Sequence, residues 1–191
     1  PSIALAAALP TITDPVTLSG NTGGATRVEL NGAGAGGSAN GLRITAGNST
    51  IEGLVINRFG QSGILLQTNG SNIIRNCYIG TNASGLTALA NAGSGIRIES
   101  APNNTIGGTS AAERNVISGQ TGLGTAGFGV FVTGGTASGN KISGNYIGVD
   151  ASGLTALGNF ASGGYIEAAP NNTIGGSTTA ELAKVAANHF K

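Results

Sequence analysis

The chain contains an internal repeat at an offset of 68 residues. Residues 78–108 and 146–176 agree at 23 of 31 aligned positions, and both contain the octapeptide APNNTIGG. Agreement over so long a stretch at a fixed offset is typical of repeat architectures, in which each unit packs mainly against its neighbours. The sequence therefore predicts a solenoid, and its 191 residues are most simply one domain.

Short apolar bursts recur in three sets. The first set lies at 11–13, 41–45, 63–67, 95–99, 129–133 and 163–167, the second at 49–51, 72–74, 104–106, 140–142 and 172–174, and the third at 28–30, 54–56, 77–79, 115–117 and 145–147. In the first set, apolar residues alternate with polar ones, as in a half-buried strand. Three short strands per turn, with a shortest turn of 22 residues, predict an all-β fold, a parallel β-helix of about five turns.

Asparagines occupy one position of successive turns. In a stack of turns about 4.8 Å apart, equivalent side chains lie directly above one another. We expect a ladder formed by Asn72, Asn104, Asn140 and Asn172, with Ser49 at its foot, and a second one formed by Asn115 and Asn145, with Cys77 in the neighbouring position. Such ladders satisfy the hydrogen bonds of buried corner amides, so we interpret the repeated octapeptide as architecture.

The two ends depart from the repeat. We divide the chain into an N-terminal cap (1–9), the β-helix turns (10–176) and a C-terminal cap (177–191). The alanine-rich segments IALAAAL and TTAELAKVAANHFK predict short helices at both ends. Solenoids need caps because an open end exposes unpaired strand edges.

The segments LPTITDPVTLSG, VELNGAGAG and NGLRITAGNSTIEGLVINRF, together with NYIGVDASGLTALGN and PNNTIGG, resemble bacterial right-handed parallel β-helix repeat proteins. The resemblance covers about residues 9–176 and implies a right-handed helix in a secreted or surface-attached bacterial protein. Relatives on this fold include pectate lyases, polygalacturonases and alginate epimerases, and the fold alone does not assign an activity.

Composition excludes several classes of partner. The formal net charge is +1 and charged residues make up 9% of the chain, so we expect neither a nucleic-acid partner nor a charged membrane surface. No apolar run approaches the roughly 18 residues of a membrane helix, which predicts no membrane insertion. The single cysteine cannot form an internal disulfide.

The titratable residues do not form a recognisable catalytic set. The chain has no adjacent pair of acids, and it lacks the Asp-Pro-His-Glu motif of the epimerases. Glu99 and Glu167 share a column two turns apart, roughly 9.6 Å by strand spacing, at or beyond the far end of the range for an inverting glycosidase pair. We interpret His189 as a terminal surface or packing residue and Cys77 as a buried one. We predict no catalytic residue, no metal site and no cofactor.

One exposed face offers a weak binding hypothesis. The outward positions of the first set bring together Arg97, Phe131 and Tyr165, and the neighbouring column holds Glu99 and Glu167. Aromatic rings on a flat sheet suit sugar rings or a partner protein. The leading hypothesis is a non-enzymatic scaffold or adhesion module; the alternatives are a module that binds or acts on polysaccharides and self-association through the solenoid ends.

Overall fold

The computed structural model describes residues 1–21, 26–122 and 126–175, and the backbone of Lys184–Val185. The chain is a right-handed parallel β-helix with three short strands per turn. All pairings between its strands are parallel, and each strand pairs with the equivalent strands of the turns before and after it. The fold class predicted from the apolar bursts is confirmed.

Three sheets run along the helix axis, and their strands are numbered in chain order. Sheet 1 consists of β4 (Leu42–Ile44), β7 (Ile64–Gln67), β10 (Ile96–Glu99), β13 (Val130–Thr133) and β16 (Gly164–Glu167). Sheet 2 consists of β2 (Thr17–Ser19), β5 (Thr50–Glu52), β8 (Ile73–Arg75), β11 (Thr105–Gly107), β14 (Lys141–Ser143) and β17 (Thr173–Ile174). Sheet 3 consists of β1 (Ser2–Ala4), β3 (Val28–Asn31), β6 (Leu54–Asn57), β9 (Tyr78–Ile79), β12 (Val116–Ile117), β15 (Tyr146–Ile147) and β18 (Lys184–Val185).

The core is a stack of aliphatic side chains enclosed by the three sheets. In sheet 1, the inward column runs through Ile44, Leu66, Ile98 and Val132, which are paired in register and almost completely buried. Ile51, Ile74, Ile106 and Ile142 form the equivalent column of sheet 2. Like residues therefore pack on like residues from turn to turn, and this packing is the main stabilising contribution to such a fold.

The N-terminal segment is a strand, and the helix predicted there is wrong. Ser2–Ala4 pair in parallel with Glu29–Asn31, and hydrogen bonds at both ends of the pair extend the match, from the Glu29 amide to the Pro1 carbonyl and from the Leu5 amide to the Asn31 carbonyl. Helix propensity is a weak prior for a short segment, because a first helical turn is costly to nucleate. The free edge of β3 offers ready hydrogen-bond partners instead.

The helix predicted over 177–191 lies almost entirely outside the described residues. Within that range, Lys184–Val185 form a strand that pairs with Tyr146–Ile147. The described helical content is one turn of 3₁₀ helix, Ala111–Glu113. Nowhere in the described ranges is a helix both long and apolar enough to span a bilayer.

Candidate functional site

The outer face of sheet 1 brings the predicted binding residues together. Arg97 pairs with Phe131, and Phe131 pairs with Tyr165 on the next strand. Glu99 and Glu167 occupy the adjacent column, with Thr133 between them. The register predicted from the alternating bursts is therefore the one observed, and all five side chains lie on one face.

Phe131 is not exposed, so the prediction of an open aromatic pair is wrong. Its exposed fraction is 4%, because Phe128, from the segment that leads into β13, folds over it. The ring centroids of Phe128 lie 5.2 Å from Phe131 and 5.0 Å from Tyr165, and the Phe131 and Tyr165 centroids are 5.4 Å apart. This three-ring cluster is a packing unit, and only the half-buried Tyr165 retains a partly accessible ring.

Arg97 and Glu99 compensate each other's charge. The Arg97 Nε lies 3.2 Å from the Glu99 Oε2, and both side chains are a little over one-third exposed. The Arg97 guanidinium carbon also lies 5.2 Å from the Phe131 ring centroid. The Nε–H of Arg97 is buried and has no well-aligned acceptor, so the pair is an ion contact and contributes little to stability at this exposure.

Glu167 is exposed and accepts a hydrogen bond from the Thr133 hydroxyl at 3.3 Å. Since Thr133 separates it from Glu99, the two carboxylates belong to strands that are two positions apart, roughly 9.6 Å. Among the described residues, no three side chains of His, Cys, Asp or Glu form a group that could hold a metal ion. His189 lies outside the described residues.

The predicted asparagine ladder is present and regular. The Oδ1 atom of each asparagine accepts hydrogen bonds from the backbone amide and the Nδ2 group of the asparagine one turn before it. These distances are 3.0 and 2.9 Å between Asn72 and Asn104, 2.8 Å for both bonds between Asn104 and Asn140, and 2.8 and 2.9 Å between Asn140 and Asn172. At the foot, the Ser49 amide donates to Asn72 Oδ1 at 3.0 Å. The ladder thus joins successive turns.

The two adjacent asparagines of the octapeptide have different structural roles: the first forms the corner and the second belongs to the ladder. Asn103 and Asn171 adopt left-handed backbone angles, φ 57° and 58°, which asparagine tolerates better than most residues. The following residues, Asn104 and Asn172, are the ladder members. The sequence APNNTIGG therefore encodes one corner and one rung, and it recurs because the corner recurs.

The second ladder contains Cys77, as expected. Its backbone amide donates to Asn115 Oδ1 at 2.8 Å, and Asn115 in turn donates to Asn145 Oδ1 from its amide and its Nδ2 at 3.2 and 2.9 Å. The thiol is fully buried and contacts the Arg75 carbonyl at 3.2 Å. Burial raises the pKa of the Cys77 thiol to about 12, so the side chain is a neutral rung at physiological pH.

A third ladder lies at the corner between sheets 3 and 1 and was not predicted. The Phe59 amide donates to Asn91 Oδ1 at 3.1 Å, the Asn91 amide and Nδ2 donate to Gln120 Oε1 at 3.3 and 3.2 Å, and the Gln120 amide donates to Asn159 Oδ1 at 3.2 Å. The three amide side chains Asn91, Gln120 and Asn159 are 3% exposed or less. All three corners of the helix are thus joined by side-chain amides.

Two hairpins project from the corner after sheet 3. Thr81 and Ala88 form an antiparallel bridge in the first, and Val149 and Ala156 do so in the second. The hairpins are 68 residues apart and touch, since the Ala151 amide donates to the Gly85 carbonyl at 3.0 Å. The 68-residue repeat therefore spans two turns, and its two hairpins contact each other along the axis, outside the three sheets of the β-helix.

The chain was compared with protein-family models, curated proteins and solved structures. No family model, no curated protein and no solved structure matches it.

Proposed function

We propose that the chain is a non-enzymatic structural module, a rigid scaffold or adhesion segment. The observation that carries the proposal is that buried polar side chains join each turn to the next at all three corners. Buried amides of this kind rigidify a core and specify one arrangement. These buried side chains hold successive turns in a fixed register, which suits a module whose role is to keep a defined length and shape.

The repeat itself supports the same proposal. An array of equivalent turns can be lengthened without changing the contacts between neighbours. The segments quoted above for their resemblance to bacterial β-helix repeat proteins favour a place in a secreted or surface-attached protein. Extracellular localisation is thus part of the proposal.

The proposal can be tested by lengthening the module. A copy of residues 78–145 inserted after Asn145 keeps the register, because Asn145 occupies the ladder position of Cys77 and is followed by Tyr146, the equivalent of Tyr78. We expect a folded chain with two more turns, longer by about 9.6 Å along the axis in small-angle scattering, and with higher stability. The matched control is a copy of the same length, inserted at the same point, whose boundaries are shifted by ten residues. Its strands do not continue the register of the neighbouring turns, so this chain should not fold. Failure of the in-register chain to fold or to lengthen would contradict the scaffold role.

A second candidate is carbohydrate binding on the outer face of sheet 1. Tyr165, Arg97, Glu99 and Glu167 share this face and are at least partly exposed, which is the specific support for it. A glycan array tests it with Arg97→Gln and Tyr165→Ala. Arg75→Gln is the matched control, because Arg75 also pairs with a glutamate, Glu52, but on sheet 2. Saturable binding that both variants lose and the control keeps would establish carbohydrate binding. Cleavage of a polysaccharide would establish an enzymatic function.

Self-association at the helix ends is a third proposal. Among the described residues β1 pairs only with β3, its residues are exposed, and Ile3 is 49% exposed. A free parallel edge can pair with another chain. Light scattering against concentration, with Ile3→Lys as the variant, tests it: mass that rises with concentration in the wild type and stays constant in the variant would support pairing through β1.

A further inference from the structure

A small polar cavity lies on the outer side of sheet 3, between the 3₁₀ turn and the second hairpin. Its volume is about 120 Å³, and it is lined by Arg27, Asn76, Tyr78, Ala111, Arg114, Val116 and Ala151. Ligand pockets for whole drug-sized molecules measure roughly 300–1,000 Å³. This cavity therefore suits a single small chemical group.

Two arginines reach the cavity by the same arrangement. The guanidinium carbon of Arg27 lies 3.8 Å from the ring centroid of Tyr78, and that of Arg114 lies 4.3 Å from the ring centroid of Tyr146. Tyr78 and Tyr146 flank Val116 in sheet 3, so the two stacked pairs repeat at a spacing of two turns. Stacking on a ring holds the guanidinium plane and leaves its edge free to donate hydrogen bonds.

The backbone fixes both guanidinium groups further. Arg27 Nε donates to the Asn76 carbonyl at 3.1 Å, and Arg114 Nε donates to the Gly144 carbonyl at 3.0 Å. Arg27 also donates from Nη2 to Asn76 Oδ1. Within the described ranges, the Nη groups of Arg114 and the Nη1 group of Arg27 make no hydrogen bond. Several donors are thus positioned and available.

Neither arginine has a carboxylate partner among the described residues, where the ion pairs are Arg75–Glu52 and Arg97–Glu99. Glu113 directly precedes Arg114 in the chain, but its Oε2 accepts hydrogen bonds from the amides of Thr109 and Ser110 and from the Ser110 hydroxyl, at 2.8–3.1 Å. Two half-buried cations therefore face one cavity without a counter-charge. An anion in the cavity would compensate both charges and offset the cost of partly burying them.

We propose that this cavity binds a dianionic tetrahedral oxyanion: a sulfate or phosphate ion, or the phosphate group of a monoester. Two guanidinium groups match the two negative charges, and their donors match the oxygens. The small volume admits the anionic group and leaves the rest of an esterified molecule outside the cavity. This site is separate from the sheet 1 face and does not depend on the proposed scaffold role.

The direct test is a titration of the ¹⁵N-labelled wild-type chain with inorganic sulfate at constant ionic strength, followed at the arginine Nε–H signals. We expect saturable shifts at Arg27 and Arg114 and none at Arg43, an exposed arginine of sheet 1. Shifts that rise linearly, or that sodium chloride alone reproduces, would overturn the proposal. Because the wild-type chain decides the outcome, the test does not depend on how any variant folds.

Variants and ligand classes then define the site. Arg27→Gln and Arg114→Gln should each weaken sulfate binding at least tenfold, whereas Arg43→Gln should leave it unchanged. Inorganic phosphate and a monosaccharide phosphate distinguish a free anion from an ester, and acetate tests whether a single negative charge suffices. Equal affinity in all three variants would contradict the assignment to Arg27 and Arg114, and tighter binding of acetate than of sulfate would contradict the preference for a dianion.

Discussion

Asn104 Oδ1 accepts two hydrogen bonds from Asn72, one from the backbone amide at 3.0 Å and one from Nδ2 at 2.9 Å. Solvent does not reach this oxygen, since both residues are fully buried. One side-chain atom therefore satisfies two donors of the preceding turn, and the Nδ2 of Asn104 repeats the contact with Asn140 at 2.8 Å. The repeated sequence places an asparagine at this position in successive turns, so the same pair of hydrogen bonds recurs along the helix axis.

Removing this rung should destabilise the chain. Asn104→Ala leaves two buried donors of Asn72 without an acceptor, and we expect the free energy of unfolding to fall by roughly 2–4 kcal/mol. Asn69→Ala is the matched control, because Asn69 is exposed and its side chain donates one hydrogen bond, to the Thr45 carbonyl. Chemical denaturation measures both, and an equal loss in the two variants would argue against a special role for the ladder.

Close stacking of corners should make Gly70 intolerant of a side chain. A Cβ at Gly70 would overlap the carbonyl oxygen of Pro102 in the next turn. We expect Gly70→Ala to cost about 3 kcal/mol or more, because backbone atoms cannot give way as a side chain can. At the exposed Gly37 a Cβ would meet nothing within 4 Å, so Gly37→Ala should change stability by less than about 1 kcal/mol. Thermal unfolding of both variants would check this.

Replacing Phe131 should destabilise the folded chain, because its ring is part of the packed interior of the three-ring cluster. Its ring is buried against Phe128 and Tyr165, so Phe131→Ala is expected to lower the free energy of unfolding by about 3–5 kcal/mol. Phe160 is 61% exposed, and Phe160→Ala should have almost no effect. If Phe131→Ala proved as mild as Phe160→Ala in denaturant unfolding, the three-ring cluster would not be a packing unit.

Cys77 should make stability depend on alkaline pH. Its pKa rises from an ordinary value near 9.0 to about 12 in the folded chain, so above pH 9 the unfolded chain loses a proton that the folded chain keeps. The stability linked to this group is fully present below pH 9 and decreases by about 1.4 kcal/mol per pH unit toward pH 12. The difference in unfolding free energy between the wild type and Cys77→Ala should be nearly constant around pH 8 and should approach this slope as the pH rises from 9 to 10.5. A difference that stays constant with pH would show that the thiol ionises equally in both states.

The strands and two of the ladders could be predicted because they obey a strict period. Alternation in bursts such as GIRIE fixes which side chains point inward, and Asn72, Asn104, Asn140 and Asn172 begin the bursts of sheet 2. The third ladder escaped prediction for a physical reason. Asn91 and Asn159 each follow a hairpin insertion, whereas Gln120 comes soon after its strand without one, and a glutamine reaches the same place with a longer side chain.

Two features could not be predicted from the sequence period: the burial of Phe131 and the strand at the N-terminus. Alternation predicts that Phe131 points outward, but its exposure depends on the path of the segment that brings Phe128 over it. The alanine-rich segment 3–9 favours a helix in isolation, and the tertiary pairing of Ser2–Ala4 with β3 overrides that preference. The cavity between Arg27 and Arg114 was equally hidden, since residues 87 positions apart meet only when the turns are stacked.

The most direct test of the account is a double-mutant cycle between Asn104 and Asn140 in denaturant unfolding. If the ladder joins the turns, the two alanine substitutions share one interaction, and their combined effect should differ from the sum of the single effects by about 0.5–3 kcal/mol. The control cycle pairs Asn104 with Asn159, which belongs to a different ladder and should be additive within about 0.5 kcal/mol. Additive effects between Asn104 and Asn140 would contradict the claim that these amides hold successive turns together.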